Sequence, residues 1–215
     1  MKLNQYIDHT NLKADASIKD IKNLVDEAVE YDFYSVCVNS ANVKLIKDYK
    51  KDVRIAAVVG FPLGAMAREA KVFEAKKAIE DGACEIDMVI NVGRLKDGEY
   101  TYVEDEIREI KEAIGSNVLK VIIETCLLTD EEKIKACQLS VAAGADFVKT
   151  STGFSTSGAD ADDVALMRKS VSDRVKVKAS GGIRDYKKSL EMIEKGADRL
   201  GVSAGVNIYK ESKSL

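Results

Sequence analysis

The stretch GADFVKTSTGF, residues 144–154, sets a glycine, a short apolar run carrying one lysine, and a polar loop in direct succession. The glycine follows a segment of helical periodicity, where a left-handed cap costs it least, and the run after it is β-type. The same opening recurs as GACEID at residues 82–87 and GADRLG at residues 196–201. Each copy marks a helix-to-strand junction. Outward from these junctions, β-type runs fall at residues 5–10, 33–39, 53–60, 84–90, 118–125, 146–150, 174–179 and 198–202. Their starts lie roughly 20–35 residues apart, the span a strand, a loop and a returning helix require.

Segments of helical spacing fill the gaps. Ser17 caps a run to Tyr31 whose Ile18, Ile21, Leu24, Val25, Ala28 and Val29 recur at three and four residues. Further stripes occupy residues 40–50, 66–80, 103–114, 129–143, 161–171 and 185–195, with a short helix after Ser203. Thr129 and Glu132 form a capping-box pattern. Eight such units with no linker predict a single (β/α)8 TIM barrel, one domain over residues 1–215. The alternative, a doubly wound open sheet, would carry a glycine-rich loop after its first strand. Asp8-His9-Thr10-Asn11-Leu12 is not one.

Composition narrows the chemistry. The 215 residues carry a net charge of −3 and no basic run, so no nucleic-acid partner is expected. The longest apolar run is too short to span a bilayer, and the start has no hydrophobic signal region, so no membrane partner is expected either. Four scattered cysteines without a CxxC pair fit buried thiols in a reducing, cytoplasmic setting. The single histidine, His9, makes a catalytic zinc site improbable, and no metal or other cofactor is expected. Any cation chemistry then falls to lysine.

Side chains alternate along a strand, so parity sorts the barrel. Ile86, Met88, Ile90, Val148, Val175 and Val177 should face the helices. The opposite parity sends Asp8, Thr10, Cys37, Asp87, Lys120 with Glu124, Lys149 and Lys178 inward, near the strand ends where barrel enzymes keep their sites. Lys176 shares that parity and is expected to pair with Glu85 lower in the barrel, whereas His9 points outward. Taken alone, Lys149 could fill a polar layer as an ion-pair partner. With Lys178 on the next strand, two ammonium groups disfavour each other's charge, and one gives up its proton near neutral pH. A neutral amine attacks a carbonyl to form a Schiff base, and Asp87 supplies a carboxylate to pair with Lys178 and relay protons. Gly153, Gly181, Gly182 and Ser203 follow the sixth, seventh and eighth strands, where backbone N–H groups of such barrels commonly bind phosphate.

IDHTNLK, VCVN, VVGFPLG, EIDMVINVG, KVIIET, VKTSTGF, VKASGGIR and RLGVSAG, in this order along essentially the whole chain, resemble the bacterial short form of the 2-deoxyribose-5-phosphate aldolase family. The resemblance implies a metal-free class I aldolase that reversibly cleaves 2-deoxy-D-ribose 5-phosphate to D-glyceraldehyde 3-phosphate and acetaldehyde. By position, Lys149 then resembles the Schiff-base lysine, Lys178 the lysine that lowers its pKa, and Asp87 the relay carboxylate. Asp8, Thr10, Cys37 and Thr150 match substrate-pocket positions, and Gly153, Gly181, Gly182 and Ser203 the phosphate cradle. The partners implied are small sugar-phosphate and aldehyde substrates, and a homodimer is compatible with the pattern. Two departures stand out. Phe154 follows TSTG where some members have lysine, and the tail YKESKSL ends in leucine rather than tyrosine, with Tyr209 six residues in.

Overall fold

A computed structural model describes residues 2–214; Met1 and Leu215, the tail's last residue, lie outside the described residues. Eight parallel strands close into a barrel in chain order. They are β1 (Ile7–Asn11), β2 (Ser35–Asn39), β3 (Ile55–Val59), β4 (Glu85–Val89), β5 (Val118–Ile122), β6 (Phe147–Lys149), β7 (Lys176–Ser180) and β8 (Arg199–Val202). Closure is decided by β8 pairing with β1, which sets Ile7 opposite Leu200, Asp8 opposite Gly201 and His9 opposite Val202. That pairing rules out the open sheet.

Around the barrel run α1 (Ile18–Glu30), α2 (Val43–Tyr49), α3 (Arg68–Glu80), α4 (Val92–Lys96), α5 (Tyr100–Ile114), α6 (Asp130–Ala142), α7 (Ala161–Ser170), α8 (Tyr186–Glu194) and α9 (Gly205–Lys213). Ser17 and Asp20 close a reciprocal capping box on α1, and Thr129 and Glu132 do the same on α6. Helix α1 buries Ile21, Leu24, Val25 and Ala28. Ile18 and Val29 flank that stripe and stay exposed. Short α4 escaped the periodicity reading because five residues cannot show a repeat. Its one signal was Asn91, whose side chain accepts the Arg94 N–H at 3.1 Å.

The alternation in β3 shows how the strands divide their faces. Ile55, Ala57 and Val59 join the large core between barrel and helices, whereas Ala56 and Val58 meet Leu12 and Cys37 inside the barrel. The outward parity of Ile86, Met88, Ile90, Val148, Val175 and Val177 holds, since all pack in the outer core. His9 also points outward, its Nε2 2.6 Å from Glu27 on α1. The pairing expected for Lys176 does not form. Lys176 is exposed at the N-terminal end of β7, and Glu85 instead meets Lys120, with Arg199 4.0 Å away.

One buried ion pair locks the outer layer. Lys71 of α3 donates to Glu106 of α5 at 2.7 Å and to the Val89 carbonyl at 2.8 Å, while Glu106 accepts the Asn91 N–H at 3.1 Å. Both side chains are fully buried, and burial pulls Lys71 downward and pushes Glu106 upward from their usual pKa values. Removing one partner strands the other without water, which typically costs about 3–5 kcal/mol. Lys71→Ala is therefore expected to lower unfolding free energy by roughly that amount, read from urea denaturation. A loss below about 1 kcal/mol, the range of an exposed pair, would remove this pair as a stabilising element.

Candidate active site

The strand register brings the predicted lysines to one level. Lys149 lies directly opposite Lys178 on β7, and Ile122 opposite Lys149 on β5. Asp87 lies opposite Lys120. All four charged side chains turn inward and are buried. Asp87 is their meeting point. Its Oδ2 accepts from Lys149 Nζ and from Lys178 Nζ, each at 2.8 Å, and its Oδ1 accepts from Lys120 Nζ at 2.8 Å.

A second carboxylate completes the cluster. Asp8 Oδ2 accepts from Lys178 Nζ at 2.5 Å, and its Oδ1 accepts from Arg199 at 2.9 Å and from Ser35 at 2.7 Å. Space for Lys178 depends on Gly201 across the ladder, where a Cβ would stand 3.0 Å from the lysine Cε. Burial alone would raise both carboxyl pKa values. The surrounding cations overcome it: Lys178, Lys120 and Arg199 hold Asp8 well below the usual carboxylate range, and Lys120, Lys149 and Lys178 hold Asp87 there. Burial likewise pulls Lys178 down, but Asp8 and Asp87 more than offset it, so its pKa sits above the ordinary lysine value. Lys178 is therefore an ammonium locked between two carboxylates.

Lys149 is placed differently. It has Asp87 as its one ion-pair partner among the described residues, and it lines a cavity of about 380 Å³ at the C-terminal mouth of the barrel. Thr10, Gly153, Gly181, Gly182, Ser203 and Phe154 line the same cavity. Volume and polarity suit a small-molecule ligand. The glycines are needed for approach as well as for turning. A Cβ on Gly158 would fall 2.2 Å from the Gly181 carbonyl, so the loops after β6 and β7 touch backbone to backbone.

Other predicted members fall elsewhere. Cys37 is fully buried, its Sγ 4.0 Å from Asp87 Oδ2, and burial pushes its thiol pKa up. Thr150 is buried, its hydroxyl donating to the Ser180 carbonyl and accepting the Ser180 N–H. Neither lines the cavity, and Asp8 lies below it within the charge cluster. Ser203 reaches the cavity without capping α9, whose cap position is Ala204. Tyr209 packs edge-on against Tyr31 at 5.6 Å and Phe33 at 6.3 Å, on the outer face of the barrel. The sequence reading gave Lys120 an inward direction but no task, and it passed over Arg199, Lys13 and Arg184. Arg199 shares the parity of Gly201 and was legible on that ground. Lys13 and Arg184 lie in loops that line the cavity, where no periodicity reports direction.

Known proteins resemble the chain over essentially its whole length. The model of the DeoC/LacD family aldolases matches residues 2–211. A deoxyribose-phosphate aldolase of Finegoldia magna is 60% identical over 212 residues, covering 98% of this chain and 100% of that protein. Another, from Thermococcus gammatolerans, is 58% identical over 221 residues, covering 100% and 98%. Among solved structures, QR15, an aldolase, superposes with a TM-score of 0.95 at 44% identity, covering 99% of this chain and 96% of the other. The tetrameric deoxyribose phosphate aldolase of Aeropyrum pernix gives 0.90 at 34% identity, covering 99% and 91%.

The electrostatics of Asp8 predict a pH signature. Its native pKa is depressed, so its contribution to stability is present above the unfolded value near 4 and is lost as pH falls through the native one. Asp8→Asn should cost about 3–5 kcal/mol at pH 7, because Lys178 and Arg199 lose a buried partner. That deficit should narrow below about pH 4, where only the wild type still loses the Asp8 contribution. Denaturant titrations at pH 7, 5 and 3 measure the gap, and a constant gap would contradict the assignment.

Proposed function

We infer the reaction from a premise the matches supply: the chain belongs to the DeoC/LacD family of aldolases. It is a metal-independent class I aldolase acting on 2-deoxy-D-ribose 5-phosphate, giving D-glyceraldehyde 3-phosphate and acetaldehyde reversibly. The observation that carries the site assignment is the contrast between two lysines that are ladder partners. Lys178 is locked between two carboxylates, whereas Lys149 opens onto the cavity.

Lys149 Nζ attacks the C1 carbonyl of the open-chain sugar, and loss of water leaves an iminium. Attack requires the unprotonated amine. The iminium forms beside Asp87 Oδ2, so the carboxylate stabilises the cation that drives cleavage. Carbon counting fixes the bond. A two-carbon and a three-carbon product require cleavage between C2 and C3, the C3 hydroxyl passing its proton to solvent water in the cavity, rather than between C3 and C4. Electrons from that bond pass into the enamine on Lys149, and glyceraldehyde 3-phosphate departs. Protonation at C2 and hydrolysis then free acetaldehyde. Because Asp87 is held deprotonated, the proton store nearest the enamine is Lys178, and Asp87 positions it and evens the charge. Gly153, Gly181, Gly182 and Ser203 face the phosphate, and Lys13 and Arg184 add charge at the rim. Thr10 contacts the sugar; Asp8 and Cys37 serve from beneath the floor.

The same reading takes residues 1–215 as one aldolase domain in the cytoplasm. Its four free cysteines suit a reducing compartment, and no helix among the described residues is long and apolar enough to cross a membrane. Assembly into a homo-oligomer belongs to the proposal as well. The Aeropyrum pernix relative is a tetramer, and the apolar side chains of Leu63 and Phe73 stand 77% and 71% exposed.

Borohydride reduction in the presence of acetaldehyde tests the assignment. The Lys149 peptide should gain one ethyl group, and Lys149→Ala should lose both that adduct and turnover by at least about 1,000-fold. Turnover should survive chelator. An adduct on Lys178, or none, would sink the Schiff-base role of Lys149.

A further inference from the structure

The mechanism uses the residues around Asp87 and leaves another buried carboxyl group unexplained. Glu124 follows β5, is buried, and pairs with no basic side chain among the described residues. Its backbone is left-handed, with φ 56° and ψ 67°, a conformation that non-glycine residues rarely adopt and that costs free energy unless the surroundings require it. The expectation that it accompanies Lys120 inward fails for that reason. The left-handed turn swings it off the strand parity.

The ladder shows what forces the turn. The N–H of Ile123 donates to the Lys149 carbonyl at 3.0 Å, and the N–H of Thr125 donates to the Thr150 carbonyl at 3.0 Å. In a regular parallel ladder, donors two residues apart meet acceptors two residues apart. Here the acceptors are neighbours, so Glu124 is one extra residue, a bulge that re-aims its side chain. The carboxyl group lands on the loop after β6. Oε1 accepts the Thr152 N–H at 3.1 Å and Oε2 accepts the Thr152 hydroxyl at 2.5 Å, while Thr152 Oγ1 accepts the Phe154 N–H at 3.1 Å. Three hydrogen bonds therefore bracket Gly153, whose φ of 84° lines the cavity immediately after the Lys149 strand.

We propose that Glu124 is a positioning residue for the anion end of the site: through Thr152 it clamps the Ser151–Phe154 turn in the conformation that presents Gly153 to the substrate phosphate. A burial this costly is retained where it orients something, and the group it orients is the cradle and not the reacting lysine. The clamp acts on a turn that ends at Phe154, which is 55% exposed and brings no charge of its own. Glu124 touches neither Lys149 nor the cavity. Its loss should therefore weaken phosphate recognition while leaving imine chemistry in place.

The inference rests on the deoxyribose-phosphate aldolase reading, and Glu124→Gly separates the two. Glycine adopts the left-handed backbone without strain and removes both acceptors. The expected result is a KM for deoxyribose 5-phosphate raised about tenfold, the order expected from losing buried hydrogen bonds. Its kcat should stay within about threefold, and borohydride trapping of acetaldehyde on Lys149 should proceed at the wild-type rate. Glu124→Gln, which keeps one acceptor oxygen, should fall between. Glu124→Gly combined with Thr152→Val should be impaired by less than the sum of the two single effects, because both singles already remove the bond between the Thr152 hydroxyl and Glu124. Affinity for inorganic phosphate by calorimetry gives an arm independent of turnover, and it should weaken about tenfold in Glu124→Gly. Wild-type protein inert toward deoxyribose 5-phosphate would count against the aldolase reading alone. Unchanged KM and phosphate affinity in Glu124→Gly, additive effects in the double variant, or loss of trapping would overturn the clamp.

Discussion

Asp87 accepts hydrogen bonds from three lysine ammonium groups inside the barrel, and the rest of the interior is arranged around that unequal ratio. One carboxylate cannot neutralise three cations, so further acids must come from neighbouring strands. Asp8 supplies one beside Lys178, and Glu85 supplies another beside Lys120. Arg199 then completes the hydrogen bonding of Asp8 from β8. Buried ions of this density are stable only as a connected set, because each unpaired member would bear its full desolvation cost. The set also sorts the lysines. Lys120 and Lys178 each touch two carboxylates, while Lys149 touches one and meets the cavity.

The barrel interior is accordingly lopsided. On the side of β2 and β3, Cys37, Ala56 and Val58 pack with Leu12 as one apolar cluster. The buried charged side chains of the interior come from β1, β4, β5, β6, β7 and β8. This division places Asp87 at the border, its Oδ2 4.0 Å from the Cys37 sulfur on the dry side and within hydrogen-bond reach of two lysines on the other. A low-dielectric wall on one side strengthens the attraction between Asp87 and any cation that forms on Lys149. Packing and chemistry are thus set by the same alternation of side chains.

Much of this was legible in the chain. The helix-to-strand junctions at Gly82, Gly144 and Gly196, the cap at Ser17, the capping box at Thr129, and the period-two alternation of EIDMVI are local signals, and the elements formed where those signals lay. Parity gave Asp87, Lys149 and Lys178 a common direction because a strand allows a side chain only two. The exceptions share a cause. Glu124 left the parity rule once a bulge inserted an extra residue, and Lys176 sat too near the end of β7 to be enclosed. Lys13 and Arg184 line the cavity from loops, where no repeat constrains direction.

The amino-acid sequence by itself determined the alternation of strands and helices, the closure expected of eight units, and the inward set of charged residues, since these follow from backbone period and local capping. Its resemblance to a family named the sugar. Only the tertiary structure decided which inward lysine stays locked and which meets the cavity. It also decided that Thr150 and Cys37 are buried away from the cavity while Thr10 lines it. Those outcomes depend on strand register, on the space Gly201 leaves for Lys178, and on which carboxylate lies within 3 Å of which ammonium. Such relations join residues far apart in the chain, Asp8 to Lys178 and to Arg199 above all, and no local pattern carries them.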